Sequence, residues 1–574
     1  MTTRRLYMDL SQASSWISAD QLDNTISGAF EQKQDNLPKV VWGMNTIPYT
    51  AGIKSLTAGK DAALEDLPAL TTPDPLFSLD AAIDRNGSLH YLALDDTIDG
   101  VKKRLSYNAF SSEWKTITSG TYVNSYFHRR QTVFQNQTVY AHTTVDSFDP
   151  SVQIVGDAPS GNDVFFYADL AHQVQVFNLS GMNLNPLFGV QGITSHQNYL
   201  LFWDFDTVYW SNPIDFTDFT PSIGGGGNTK IAEARGNILT IVPNPTGLMI
   251  YCKYNIVHAA FSGDATNPWI FTEVAGSEGL LISIAGQPLV TSNESSAIQM
   301  AVTPTGIVSV ADNGVQPLNV SMLEMFDDLA VEKKDIGTVD FTRKFYDYTG
   351  ELLASTKIYN IKLIGRELFI MSGKSTNLTD KTEYTDGRMH VLNLQTNKVS
   401  LLEGTYLDVS PKINLSKTLA GGVNMAVRPD IQPNSYVGAI RDTIFPNAAE
   451  TIVLDFAGTT DRDIGSFNNG TIQRDAEFLV GNISVSRENT TIIHSVMLDG
   501  RLHADSDTLG TKRAKVFGYS KSSLGASNPV EFTYNTGDGR YYGHVEGKDL
   551  LIEVRGENFY LTGMEVEIEQ GGIF

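Results

Sequence analysis

The feature that most limits what this chain can fold into is a repeated phrase: two short apolar strands divided by a tight polar turn. It recurs every ~30–45 residues along most of the 574-residue sequence. HYLALDD, RLSYNAF and EWKTIT lie within residues 88–118, and RRQTVFQN with QTVYAHTTV within 126–155. FFYADL and HQVQVFNL fill 164–179, and NILTIVPNPTGLMIYCKYNIVHAAF (237–261) is closed by WIFTEV. IQMAVTPTGIVSVADNGVQPLNV follows at 298–320, then YNIKLIGRELFIMSG with GRMHVLNLQTNKVSLLEG at 359–404. So many strands overload one open sheet, which must split or close. Radial repetition of small sheets meets that limit without long exposed edges. The expectation is an all-β chain built on a β-propeller of about six blades, in preference to stacked sandwiches.

The most apolar of these phrases is HQNYLLFWDFDTVYWSNPIDFTDFTPS, residues 196–222. Residues 199–205 are almost continuously apolar, which predicts a strand buried on both faces. Residues 204–207 are polar enough to turn the chain, and 208–210 return as a second strand. Asn212-Pro213 ends the ladder, because proline has no N–H and restricts the residue before it. Ile214, Phe216 and Phe219 are then expected to seal the end of the sheet. One helix is signalled, capped by Ser321 and Glu324, with Leu323, Phe326 and Ala330 on one face.

Three stretches leave this pattern: 57–75, the polar link 372–386, and 457–475, which loses its apolar residues. They divide the chain into an arm and loop-rich entry segment (1–75), a propeller body (76–456) and a strand-rich region that completes or caps it (457–574). The last strand alternates cleanly, with Met564, Val566 and Ile568 on one face and Glu565, Glu567 and Glu569 on the other. That acidic row is a candidate channel- or solvent-facing surface.

Composition narrows the function. With 41% hydrophobic residues the chain is not disordered, and no run approaches the ~18 apolar residues of a membrane span. MTTRRLYMDLSQ has no apolar core of a secretory signal. The one cysteine, Cys252, has no intrachain partner, which fits assembly in a reducing cytoplasm, and its neighbours Met249, Ile250 and Tyr251 suit a buried, inert thiol. A net charge of −23, from 65 acidic and 42 basic residues, argues against a surface that grips DNA but not against one that DNA slides past. Two small basic clusters, Lys102-Lys103-Arg104 and His128-Arg129-Arg130, suit subunit salt bridges or a DNA contact.

Catalytic signatures are missing, so no catalytic, cofactor or metal residue is assigned. Gly373-Lys374-Ser375 is not a P-loop, since Leu368 stands where its first glycine belongs. Residues 224–227, all glycine, read as a flexible loop. His142, His172 and His258 read as sheet residues. Asp204, Asp206, Asp215 and Asp218 could supply a spaced acid–base pair for glycan cleavage, but aspartates beside turns more simply bond the local backbone.

With these residues in view, the chain resembles the tail nozzle, or tail hub, proteins of short-tailed bacteriophages. YMDLSQ (7–12) is similar to their opening arm. The hairpin with Trp203, Trp210, Asn212, Pro213, Phe216 and Phe219 matches their signature. TPTGIVSVADNGVQPLN (303–319) resembles a later blade strand, and Gly539-Arg540-Tyr541 with GMEVE (563–567) resembles their closing strands. Many relatives end in Gly-Gly-Arg, whereas this chain ends Gly571-Gly572-Ile573-Phe574. The resemblance implies a structural, non-enzymatic virion protein assembled in the host cytoplasm. Six copies would form a ring below the portal and adaptor, the head-to-tail connector. Double-stranded viral DNA would pass through that ring, with plug, needle or fibre proteins at its distal end. The alternative is a propeller-fold tail protein that binds or cleaves host glycans.

Overall fold

The computed structural model describes residues 3–10, 39–49 and 52–55, then the strands within 76–178. It also describes 191–281, 288–292 and 299–318 apart from 217, 265 and 305, and the strands within 356–573. The helix signalled at 321–330, the stretches 57–75 and 457–475, and the basic cluster 128–130 lie outside the described residues.

Seven small antiparallel sheets run from Leu76–Ile83 to Ala449–Asp455 among the described residues. Six have four strands and the last has three. Each is a meander whose first strand lies innermost. That strand meets its counterparts in neighbouring sheets: Gly192–His196 lies beside Gln131–Phe134 and Ile238–Asn244. Thr356–Ile364 lies likewise between Val290–Ser292 and Tyr406–Asn414. The ring closes because the last inner strand, Tyr406–Asn414, packs on the first, Leu76–Ile83. The chain is therefore an all-β protein whose body is a β-propeller. Among the described residues its blades number seven, against the expected six or so; residues 406–455, which none of the repeated phrases covers, form the last of them.

Packing between blades explains why the strands read as doubly apolar. Trp203, Trp210, Leu201 and Val208 of the third blade share a core with Ile238, Ile250, Val257 and Trp269 of the fourth. The opposite face of the fourth, with Leu239, Met249, Tyr251 and Ile256, packs on Ala301, Val308 and Val310 of the fifth. Leu289, Met300 and Val302 then meet Ile358, Ile361, Leu368 and Ile370 of the sixth. The fourth and fifth blades thus bury both faces, and each large side chain removed from water contributes about 1.5–3 kcal/mol.

Polar clamps fix the register of these interfaces. The Tyr251 hydroxyl donates to Gln299 Oε1 at 2.7 Å, and the Gln299 amide returns to the carbonyls of Val242 and Pro243 at 3.3 and 3.0 Å. At another edge of the same interface Asp312 accepts from the Asn244 amide at 2.6 Å and the Thr246 hydroxyl at 2.5 Å. The Leu363 N–H donates to Thr291 Oγ1 at 2.7 Å between the fifth and sixth blades.

The remaining strands form one twelve-stranded sheet that joins the two ends of the chain. Arg4–Asp9 pairs residue by residue with the last strand, setting Tyr7 opposite Glu565 and Met8 opposite Met564. Lys39–Met44 lies at one end of the strand order and Thr46–Tyr49 at the other. Only Asn45 separates them, so the sheet curls until its ends adjoin. Asn45 takes φ 54°, a left-handed conformation that asparagine tolerates better than most residues, and it is buried at this corner. Inside the curl Met8, Leu10, Ile53, Phe478, Val516, Phe532, Ile552 and Val566 make one core. The division drawn at residues 75 and 457 thus separates in sequence two segments that share a sheet. Its strands Lys39–Met44 and Thr46–Tyr49 also pack beside Lys398–Glu403, the outer strand of the sixth blade.

Removing residues 1–10 takes away the fully buried side chains of Met8 and Leu10 as well as one strand. We expect a loss of roughly 3–6 kcal/mol in the curled sheet, read from urea unfolding by tyrosine and tryptophan fluorescence.

Candidate functional site

The hairpin singled out by sequence is the framework of the third blade. Tyr199–Trp203 and Thr207–Trp210 pair antiparallel, with Phe202 opposite Tyr209 and Trp203 opposite Val208. Leu200, Leu201, Phe202 and Trp203 are all fully buried. Each tryptophan lies over a glycine on its neighbouring strand: Trp203 over Gly192, and Trp210 over Gly227. A Cβ at Gly192 would come within 2.1 Å of the Trp203 ring, and one at Gly227 within 2.4 Å of Trp210, so only glycine fits beneath either. On the other face Phe202 stacks on Tyr209 at 4.6 Å and meets Phe219 edge-on at 5.0 Å.

The segment after the hairpin differs in detail from expectation. Phe219 is buried and Phe216 half-buried, but Ile214 is 91% exposed and seals nothing. Asn212 makes the turn instead: its side chain accepts from the Ile214 N–H at 2.9 Å, and its N–H donates to the Asp218 carbonyl at 2.7 Å. The structure places Pro213, half-buried, in that turn just past the end of the ladder. The four glycines are not a loose loop either. Ser222 N–H bonds the Gly226 carbonyl at 3.0 Å, and Gly227 opens the strand Gly227–Lys230.

The four central aspartates do not converge. Asp204 is buried and holds the turn, accepting from the N–H groups of Asp206 and Thr207 at 3.3 and 3.0 Å and from the Tyr209 hydroxyl at 3.1 Å. Burial and the Asp204 carboxylate raise the Tyr209 phenol well above its ordinary pKa. Asp206 pairs with Lys230 at 2.5 Å. Asp218 lies one strand further on, at the opposite end of the blade, where the Thr220 N–H at 3.0 Å holds its carboxyl below the usual range. The turn reading therefore accounts for the geometry of both Asp204 and Asp218. His258 sits beside Thr246 and Asp312, but one ring nitrogen, Nε2, faces both, at 3.3 and 3.6 Å. A hydroxyl–imidazole–carboxylate relay needs the two ring nitrogens on different partners. Cys252 is fully buried, and burial pushes its thiol up to about 12.

The acidic row of the last strand is partly covered by other strands of the curled sheet. Glu565, Glu567 and Glu569 are each half-buried and each engaged by a flanking strand. Arg540 and Arg5 pair with Glu565, the Ser495 hydroxyl donates to Glu567 at 2.8 Å, and His494 Nε2 lies 2.7 Å from Glu569. Arg4–Asp9 on one side brings Arg5, Asn489–Leu502 on the other brings Ser495 and His494, and Arg540 reaches in from Arg540–Gly547 one strand beyond, which single-strand periodicity cannot reveal.

Sequence reading missed a second set of residues, at the propeller axis. Thr240, Thr291, Asn360, Lys362 and Asp408 come from the inner strands of four successive blades and line one cavity. Lys362 Nζ lies 3.3 Å from Asp408 Oδ1, and the Asn360 amide donates to the same oxygen at 3.2 Å. No motif marks them, because they are scattered over four strands, one or two to a strand, with no shared spacing. A bulge in the backbone just before three of them, at Thr240, Asn360 and Asp408, becomes visible only in the structure.

Two outcomes test this geometry. Trp203→Ala should cost about 3–5 kcal/mol in chemical unfolding, whereas Ile214→Ala should leave the midpoint unchanged. His196 is 8% exposed, lies 5.5 Å from the Trp269 ring, and its Nε2 has no hydrogen-bond partner among the described residues. Burial lowers its pKa, so the unfolded chain binds the proton more readily. Its contribution is full above the unfolded value of about 6.5 and is lost as pH falls below it. The thermal midpoint should therefore drop less on acidification in His196→Phe than in the parent.

No protein-family model matches the chain, and no curated protein matches it. Similar solved structures include U3-55K, at 7% identity over 66% of this chain and 95% of that one, with a TM-score of 0.35. The WD40 repeats of RRP9 are 7% identical over 70% of this chain and 99% of theirs, with a TM-score of 0.36. Saccharomyces cerevisiae Sqt1 is 7% identical over 71% and 99%, with a TM-score of 0.35.

Proposed function

We propose that this chain is a structural subunit of a short-tailed phage nozzle, a ring that continues the DNA channel below the portal and adaptor. One observation carries the reading. Within the two stretches that resemble the family's opening arm and closing strand, Tyr7–Asp9 and Gly563–Glu565 are hydrogen-bonded neighbours, with Asp9 opposite Gly563 and Tyr7 opposite Glu565. Motifs separated by almost the whole chain thus belong to one structural unit. The third motif, the hairpin, is core rather than ligand surface, as a framework signature should be.

In this reading the subunit carries genome without catalysis. The charge of −23 keeps a polyanion from adhering to the ring, because few counterions are released on contact. The row Glu565, Glu567 and Glu569 is assigned to holding the curled sheet together and not to the channel wall. The partners are five further copies, the connector above, plug, needle or fibre proteins below, and the double-stranded DNA in transit; the location is the virion tail.

Light scattering and negative-stain microscopy, alone and with the portal–adaptor complex, test the assembly. A six-fold ring is expected, with duplex DNA retained weakly on filters at physiological salt. A chain that stays monomeric with the connector present, or that binds DNA tightly with a steep salt dependence, overturns the reading.

A further inference from the structure

The axial cavity is the feature that the ring reading leaves unused. It encloses about 250 Å³ between the inner strands of the third to seventh blades. Its polar wall is Thr194, Thr240, Thr291, Asn360, Lys362 and Asp408, and its apolar wall includes Ile193, Trp203, Ile241 and Val290.

Two independent observations mark it as built. The first is backbone geometry. Four inner strands carry a register shift at the same place, between Leu76 and Ser78, Ile238 and Thr240, Ile358 and Asn360, and Tyr406 and Asp408. Each shift inserts one residue immediately before a polar one. A bulge re-aims the side chain that follows it. Thr240, Asn360 and Asp408 all line the cavity, whereas their neighbours Ile238 and Ile358 fill the cores between blades. The second is charge. Asp408 is fully buried and accepts from Lys362, Asn360 and its neighbour's N–H, that of Val409 at 2.8 Å. Burying an ion pair costs several kcal/mol per charge before the attraction repays it, so hydrophobic packing alone does not call for one here.

We propose that this cavity binds a neutral, polyhydroxylated molecule the size of one sugar residue. Lys362 and Asp408 cancel, so the named wall has no net charge, and a free ion would bring an uncompensated charge into a half-enclosed apolar site. Three hydroxyls and an amide both donate and accept and the ammonium donates, which is what a row of sugar hydroxyls requires, while the buried Asp408 holds the ammonium and the amide in place. The isoleucine, valine and tryptophan surfaces take the C–H face of the ring. The volume is below the ~300–1,000 Å³ of pockets for drug-sized ligands and suits a single ring. The inference stands whether or not the chain assembles into a ring.

The test is saturation-transfer NMR and calorimetry on the full chain. Glucose, galactose and N-acetylglucosamine serve as neutral probes, with glucuronate and glucosamine as charged counterparts. At least one neutral sugar should bind saturably and resist displacement by the charged ones. Val290→Phe, which fills the cavity, and Thr240→Val, which removes a hydroxyl at nearly constant shape, should each weaken it at least about tenfold. Melting curves establish that each variant folds; should Val290→Phe melt early, Thr240→Val decides alone. Absence of binding by all neutral sugars overturns the proposal, as does binding that survives Thr240→Val or charged sugars that bind equally well.

Discussion

Everything in the propeller depends on one constraint: a small sheet with two apolar faces cannot be covered by itself. The fourth blade shows it most plainly. Ile238 and Leu239 are adjacent in sequence, yet one belongs to the core shared with the third blade and the other to the core shared with the fifth. Neither core exists without both blades, so stability is a property of the series and of its closure through Leu76–Ile83 against Tyr406–Asn414. The same constraint explains the tryptophan–glycine pairs. A ring as large as Trp203 or Trp210 enters a core about 10 Å thick only where the neighbouring strand presents no side chain, at Gly192 and Gly227.

Apolar faces alone would let blades slide past one another, since dispersion and hydrophobic burial are not directional. Gln299, Asp312 and Thr291 supply direction, each bonding a group on the adjacent blade at hydrogen-bond distance. These groups sit between sheets, where an unmade hydrogen bond costs about 1–3 kcal/mol, so a wrong register is penalised more than the right one is rewarded. Lys362 and Asp408 do the same between the sixth and seventh blades at higher stakes, because both partners are charged.

The fold class was legible in the sequence for the reason that makes it stable: doubly apolar strands at short regular intervals leave few architectures. Asp204 was legible as a turn residue because its partners lie within five positions of it. What escaped was everything decided between distant strands. Glu565, Glu567 and Glu569 read as a solvated row because alternation reports a face and not its neighbours; Arg5 and Ser495 arrive from strands far away in sequence. Ile214 read as a seal because it is apolar, while the backbone bonds of Asn212 and Asp218 turn it outward. The axial polar residues escaped because a bulge changes where a side chain points without changing composition.

The joining of the chain's ends carries a consequence for how the molecule forms. Among the described residues Arg4 to Asp9 pairs with Gly563 to Ile568, almost the whole length of the described chain away. The curled sheet therefore cannot be completed until nearly the whole chain is available, and its loop-closure entropy is the largest of any pairing here. Blades contact mainly their sequence neighbours and can assemble in order behind the growing chain, as repeat architectures do. Until the C-terminal strands arrive, the apolar side chains of Met8, Leu10 and Ile53 lack the core they later share with Phe478 and Val566. The physical order is thus propeller before curled sheet. Arg4, Arg5 and Asp9 give the strand Arg4–Asp9 the charges that discourage mispairing of an edge until that partner is in place.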